Sequence, residues 1–154
     1  MENGLITGLN HAHSLLRYVL LLLLLIVIYK SFTGKGKRPF TDVDKRLGTL
    51  TVLTAHFQLL IGLGLFFLKD WHSQFSNMAN VMSNPVLRFF AVEHMVGMLI
   101  AILLLTIGNA KAKRAASDDK KFSLLAWFFT IALVIIFISI PWPFRGEFIS
   151  HGWF

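Results

Sequence analysis

The strongest constraint on the fold is the gathering of apolar residues into four long blocks. The blocks cover residues 9–29, 47–68, 86–108 and 122–140. Each is close to the ~20 residues that an α-helix needs to cross a hydrocarbon layer of ~30 Å. A helix satisfies its own backbone hydrogen bonds in lipid, and short connections make consecutive helices antiparallel neighbours. The sequence therefore predicts an all-α integral membrane protein, built as an up-down-up-down four-helix bundle.

Basic residues in the connections predict how this bundle is oriented. The second connection holds one basic residue, whereas the first and third together hold Lys30, Lys35, Lys37, Arg38, Lys45, Arg46, Lys111, Lys113, Arg114, Lys120 and Lys121. Loops rich in Lys and Arg face the cytoplasm. Both termini are therefore predicted on the non-cytoplasmic side. The chain is interpreted as a single membrane domain, residues 1–154, whose tail, residues 141–154, lies along the outer surface.

Composition excludes several classes of function. The chain has no cysteine, which rules out disulfides, thiolate-held iron–sulfur clusters and c-type haem attachment. Its formal net charge of +7 comes from short loops between apolar blocks, a pattern that favours membrane orientation over nucleic-acid binding. Neither a Ser/His/Asp set nor a phosphate-binding glycine loop stands in a supporting context. If the chain is an enzyme, a membrane oxidoreductase is the class that fits.

Ionisable residues inside the predicted helices mark the candidate site, because such residues are costly in lipid and normally face the bundle interior. The first helix carries a polar stripe at i, i+3, i+4 and i+7, formed by Asn10, His13, Ser14 and Arg17. The second carries His56, and the third carries Arg88, Glu93 and His94. At ~1.5 Å per residue, the three histidines fall roughly 6 to 18 Å from the outer ends of their helices. They are predicted to converge in the outer half of the bundle.

Neutral imidazoles in an apolar bundle are the usual axial ligands of haem b. We expect one haem, with His56 and His94 as its iron ligands and His13 as an alternative ligand or a supporting donor. Arg17 or Arg88 would pair with the propionates. Arg17 and Glu93 lie at similar depth with opposite charge and are predicted to form a buried ion pair.

Other chemistry uses the same residues. His94 and Met98 are spaced i, i+4, and imidazole with thioether suits copper. A quinone headgroup is a further candidate ligand, and a quinone or another redox partner would meet the chain at its outer face. A non-catalytic structural subunit of a larger membrane complex is the remaining hypothesis, and a homo-oligomer is compatible with all of these.

Nearly the whole chain resembles one known family, and the likeness is carried by the stretches LNHAHSLLRYVLLLL, KRLGTLTVLTAHFQLLIGLGLFF, NPVLRFFAVEHMVGM and SIPWP. These resemble small bacterial four-helix membrane proteins, found particularly in the Bacteroidetes group, that are catalogued as cytochrome b-like. The resemblance implies a multi-pass protein of the bacterial inner membrane with haem b held by membrane histidines. His13, His56 and His94 match the positions of the family's intramembrane histidines.

Overall fold

The computed structural model describes residues 4–146 and 148. Its helices are α1 (Gly4–Gly34), α2 (Asp42–Leu68), a 3₁₀ helix (Trp71–Asn77), α3 (Met78–Ser83), α4 (Pro85–Arg88), a π-helical turn (Phe89–Glu93), α5 (His94–Arg114) and α6 (Asp118–Ile138). No strand occurs in this part of the chain. The predicted all-helical fold is confirmed.

Four helical segments are long and apolar enough to cross a membrane: Gly4–Gly34, Asp42–Leu68, Pro85–Arg114 and Asp118–Ile138. The first, second and fourth begin four or five residues before the predicted apolar blocks. The third begins one residue before its block, because a polar cap starts the helix outside the apolar run. Asn84 shows this clearly, since its side chain accepts hydrogen bonds from Val86 N and Leu87 N ahead of the third apolar block. The fourth helix ends at Ile138, two residues earlier than predicted.

The helices pack as a bundle in which α1 and α5 lie diagonally opposite each other. Each of these two helices packs against both α2 and α6. The centre is filled by fully buried large side chains, among them Leu24, Leu105 and Phe129, and small residues such as Ala55 and Ala101 bring the backbones close.

The outer surface of the bundle is as apolar as its centre. In each apolar segment, between 22% and 33% of the most hydrophobic stretch is buried inside the protein. Large apolar side chains such as Leu22, Leu53, Leu103 and Val134 are about half exposed. A water-soluble bundle would carry polar residues on this face. The surface instead suits contact with a lipid bilayer, as expected for a multi-pass membrane protein.

We call the end of the bundle that holds the α1–α2 and α5–α6 connections the basic end. Its main polar contact is between Arg38 and the buried Asp44. Arg38 Nη1 and Nη2 donate to the two carboxylate oxygens at 2.6 and 2.9 Å, and Thr41 donates to the same carboxylate from its backbone N and its hydroxyl. The hydrogen bond to Asp44 raises the pKa of Arg38 above its usual value. This contact joins the first connection to the first turn of α2.

We call the opposite end, where α1 begins and α6 ends, the histidine end. Here Trp142 and Phe148, which follow α6, pack inward, whereas Phe144 is exposed. Trp142 is 8% exposed and its indole N donates to Phe137 O at 2.8 Å. Phe148 is fully buried, with its ring centroid 4.5 Å from that of Phe89. The predicted surface tail is therefore wrong for Trp142 and Phe148, and residue 147 and residues 149–154 of that tail lie outside the described residues.

Candidate functional site

A cavity of about 450 Å³ opens inside the histidine end. Its wall is formed by α1, α2, the α4–α5 segment and the residues that close α6. Most of the wall is apolar, and the polar side chains in it include Asn10, His13, Ser14, Arg17, Gln58 and His94. A concave, mainly apolar site with a few converging polar groups is the usual form of a ligand pocket, and the volume falls within the range of about 300–1,000 Å³ for such pockets.

His13 reaches this cavity from α1 and is held against α2. Gln58 Nε2 donates to His13 O at 2.8 Å, which fixes the backbone of α1 against α2 at this level. The His13 ring lies over Gly62, where an added Cβ atom would be 3.0 Å from His13 Cε1. The absence of a side chain at Gly62 therefore makes room for the imidazole.

His94 reaches the same cavity from the diagonally opposite helix. Its Nδ1 lies 2.6 Å from Ser139 O. A carbonyl oxygen only accepts hydrogen bonds, so Nδ1 carries the proton and donates it. Nε2 then keeps its lone pair, which is the form of imidazole that binds a metal. The end of α6 thus sets both the orientation and the tautomer of His94.

The π-helical turn before α5 contributes to the placement of His94. A π turn inserts one extra residue into a helix and is frequent at functional sites. Arg88 Nε donates to Glu93 Oε1 at 2.7 Å, linking residues i and i+5 across this turn. The extra residue rotates everything before Phe89 by about 100° relative to α5. His94 can therefore face the cavity while Arg88 lies outside it and pairs with the exposed Glu93.

The rings of His13 and His94 lie close to each other in the cavity wall. Their centroids are 6.4 Å apart, and the ring planes make an angle of 64°. Two imidazoles bound on opposite sides of one metal ion, at about 2.0–2.1 Å from each nitrogen, have centroids about 6.3 Å apart. The separation of His13 and His94 therefore fits one ion between them. Within residues 4–146 and 148, no group of three or more His, Cys, Asp or Glu side chains is suited to hold a metal.

Two buried polar atoms in the cavity wall have no hydrogen-bond partner among the described residues, namely His13 Nδ1 and Gln58 Oε1. Buried polar atoms are normally paired, and an unpaired one costs about 1–3 kcal/mol. A bound molecule with polar groups would lower that cost. This observation supports a ligand in the cavity, in addition to the paired rings.

The structure separates several residues that sequence reasoning had grouped. His56, predicted as a first ligand, is exposed on the far side of α2, with its Nδ1 2.8 Å from Val52 O. The prediction that His56 and His94 share one iron is therefore wrong for this arrangement, and His13 takes the place of His56. His13, Arg17, His94 and Met98 do line one cavity.

The predicted ion pair between Arg17 and Glu93 is not formed. Glu93 is exposed and pairs with Arg88, which also donates to Met82 O at 3.2 Å. Arg17 instead lies in the cavity wall, with its guanidinium 4.7 Å from the centroid of the Tyr18 ring. Arg88 is outside the cavity, so of the two predicted propionate partners only Arg17 is placed to contact a ligand there.

Gln58 and the Ser139 carbonyl are the site groups that sequence reasoning did not assign. Gln58 lies four residues before Gly62, so the two share the α2 face that meets α1. That spacing could have identified Gln58. The contribution of Ser139 comes from its backbone oxygen, for which a sequence gives no signal.

Replacing Gly62 tests how tightly the cavity holds His13. In Gly62→Leu the new side chain would occupy the space of the imidazole, and we expect loss of any ligand that His13 binds. Gly64→Leu is the matched control, because an added Cβ at Gly64 meets nothing within 4 Å. The measurement is ligand content per purified chain. Equal retention in both variants would contradict the placement of His13 against Gly62.

The chain matches no family model, no curated protein and no solved structure. The function must therefore be argued from the cavity itself, with its two opposed histidines at the histidine end of an apolar four-helix bundle.

Proposed function

We propose that the chain is a multi-pass protein of the bacterial inner membrane, with the histidine end on the non-cytoplasmic side. The support is the distribution of basic residues, which gather in the α1–α2 and α5–α6 connections at the opposite end. The positive-inside rule then places the basic end in the cytoplasm and both termini outside.

Within that orientation, we propose that the cavity binds one haem b and that the protein transfers electrons near the outer face of the membrane. The observation that carries this proposal is the 6.4 Å separation of the His13 and His94 rings across an apolar cavity. Haem b held between two imidazoles supplies one-electron redox chemistry. A quinone or another redox partner at the outer face would exchange the electron.

The residues of the chain have distinct roles in this proposal. His94 would be the better oriented of the two ligands. Its Nδ1 donates a hydrogen bond to Ser139 O, and such a bond fixes the orientation of the ring and makes Nε2 more basic. His13 would be the second ligand. Arg17 and Lys69, both in the cavity wall, supply positive charge for propionates. Apolar residues such as Leu20, Leu59 and Ile102 keep water from the ring.

Copper binding is the second candidate, and one observation favours it. Met98 lines the same cavity and stands one helical turn from His94. Two imidazoles and a thioether form a ligand set that copper accepts. The third hypothesis, a structural subunit, requires no ligand at all.

The optical spectrum of the purified protein tests these alternatives. The chain is expressed with ample haem supply and purified in mild detergent, and its spectrum and copper content are both measured. We expect a Soret band and a haemochrome content near one haem per chain. A colourless protein would refute the haem proposal. Stoichiometric copper that is lost in Met98→Leu would instead support the second candidate.

A further inference from the structure

A second candidate site lies at the basic end, far from the histidine cavity. It is a groove of about 510 Å³ between the start of α2 and the end of α5. Its wall consists of Asp42, Lys45, Arg46, Thr49, Leu50, Leu53 and Lys113. Three cations and one carboxylate give this small surface an excess of positive charge.

The three cations of the groove are not engaged by the protein. Lys45, Arg46 and Lys113 are exposed, and within residues 4–146 and 148 none of them lies within 4.0 Å of a carboxylate oxygen. At the same end Lys30 and Arg38 meet Asp44 and Lys121 meets Asp118, whereas Lys35, Lys37 and Lys120 are, like the groove cations, exposed and in no ion pair among the described residues. The groove therefore keeps its cations available for an external anion.

Apolar surface continues directly from these charges along α2. Leu50 is one turn beyond Arg46 and Leu53 two turns beyond Lys45, which corresponds to about 6 and 12 Å along the helix axis. Leu50 is 49% exposed and Leu53 is 51% exposed. Thr49, which precedes Leu50 in the chain, donates its hydroxyl to Lys45 O at 2.9 Å. A ligand that fits has an anionic head and an apolar body that extends toward the middle of the bundle.

We propose that this groove binds the headgroup of an anionic phospholipid of the cytoplasmic leaflet, of the phosphatidylglycerol class. Lys45, Arg46 and Lys113 hold the phosphate, and Leu50 and Leu53 contact the acyl chains. Basic pockets between membrane helices recognise anionic headgroups in this way. The inference rests on the proposed membrane orientation and is independent of any ligand in the histidine cavity.

Native mass spectrometry of the detergent-purified chain tests the proposal, with dioleoyl phosphatidylglycerol and dioleoyl phosphatidylcholine as probes. The groove variant is Lys45→Gln, Arg46→Gln and Lys113→Gln combined. The control variant is Lys35→Gln, Lys37→Gln and Lys120→Gln combined, which removes the same charge from exposed positions outside the groove. We expect the wild type to prefer phosphatidylglycerol, and the groove variant to lose its affinity by about ten-fold or more. The control should keep it.

Three results would overturn the proposal. One is equal binding of the two lipids by the wild type, and another is an equal loss of phosphatidylglycerol in both variants. The third is displacement of phosphatidylglycerol by glycerol 3-phosphate at similar concentration, because it would show a site for free phosphate esters. The haem spectrum is recorded on the same samples, so failure of the cavity proposal would be seen separately from failure of this one.

Discussion

Replacing His94 with alanine is expected to abolish the haem spectrum of the purified protein. In the proposed site, the variant would remove the ligand whose tautomer is set by Ser139 O at 2.6 Å and would leave His13 as the only one of the two histidines to hold the haem. His13→Ala should weaken binding strongly but less completely, because His13 Nδ1 has no hydrogen-bond partner among the described residues to orient it. Haem content per chain and the position of the Soret band are the measurements.

His56→Ala is the matched control for this experiment. His56 is also a histidine in an apolar helix, but it is exposed outside the cavity. It should keep the full spectrum and the same haem content. If His56→Ala lost the haem while His13→Ala retained it, the pairing of His13 with His94 would be refuted and the pairing of His56 with His94 expected from the sequence would be supported.

The largest effect on stability is expected at the basic end, in Asp44→Ala. The carboxylate accepts two hydrogen bonds from Arg38 and two from Thr41, and the side chain of Asp44 is 3% exposed. Removing this carboxylate leaves the Thr41 donors at the start of α2 and the partly buried Arg38 guanidinium without an acceptor. We expect unfolding to become easier by about 2–3 kcal/mol. Unfolding in mixed detergent micelles, followed by circular dichroism, measures this.

Asp42→Ala is the control for the stability measurement. Asp42 and Asp44 both lie in the first turn of α2, where a carboxylate interacts favourably with the positive end of the helix dipole. Asp42 is exposed and accepts no such set of hydrogen bonds, so its replacement should cost about 0.3–1 kcal/mol. Equal destabilisation by the two variants would show that the dipole, and not the Arg38 contact, accounts for the effect.

The fold could be predicted from the sequence because lipid imposes one strong rule on the backbone. Four apolar blocks of about 20 residues must become helices, and the structure has four such helices. The predicted helix boundaries were less accurate, because the caps formed by Asn84 and Ser117 start helices outside the apolar blocks. The orientation in the membrane remains a prediction from the basic residues.

The site could be predicted only in part. His13, Arg17 and His94 were identified because ionisable residues in apolar helices face inward, and the structure places all three in one cavity. His56 is also an ionisable residue in an apolar helix, but it faces outward. It is adjacent to Ala55, which lies on the buried face of α2, and a rotation of about 100° per residue turns His56 away from the bundle centre.

The sequence by itself determined the four long apolar helices and the residues that could carry chemistry, because hydrophobic length and local spacing act within one segment. The tertiary structure alone decided which histidines meet. That outcome depends on the diagonal placement of α1 and α5, on the π-helical turn before His94 and on the backbone oxygen of Ser139. These are relations between segments distant in the chain, and the side-chain pattern of no single helix encodes them.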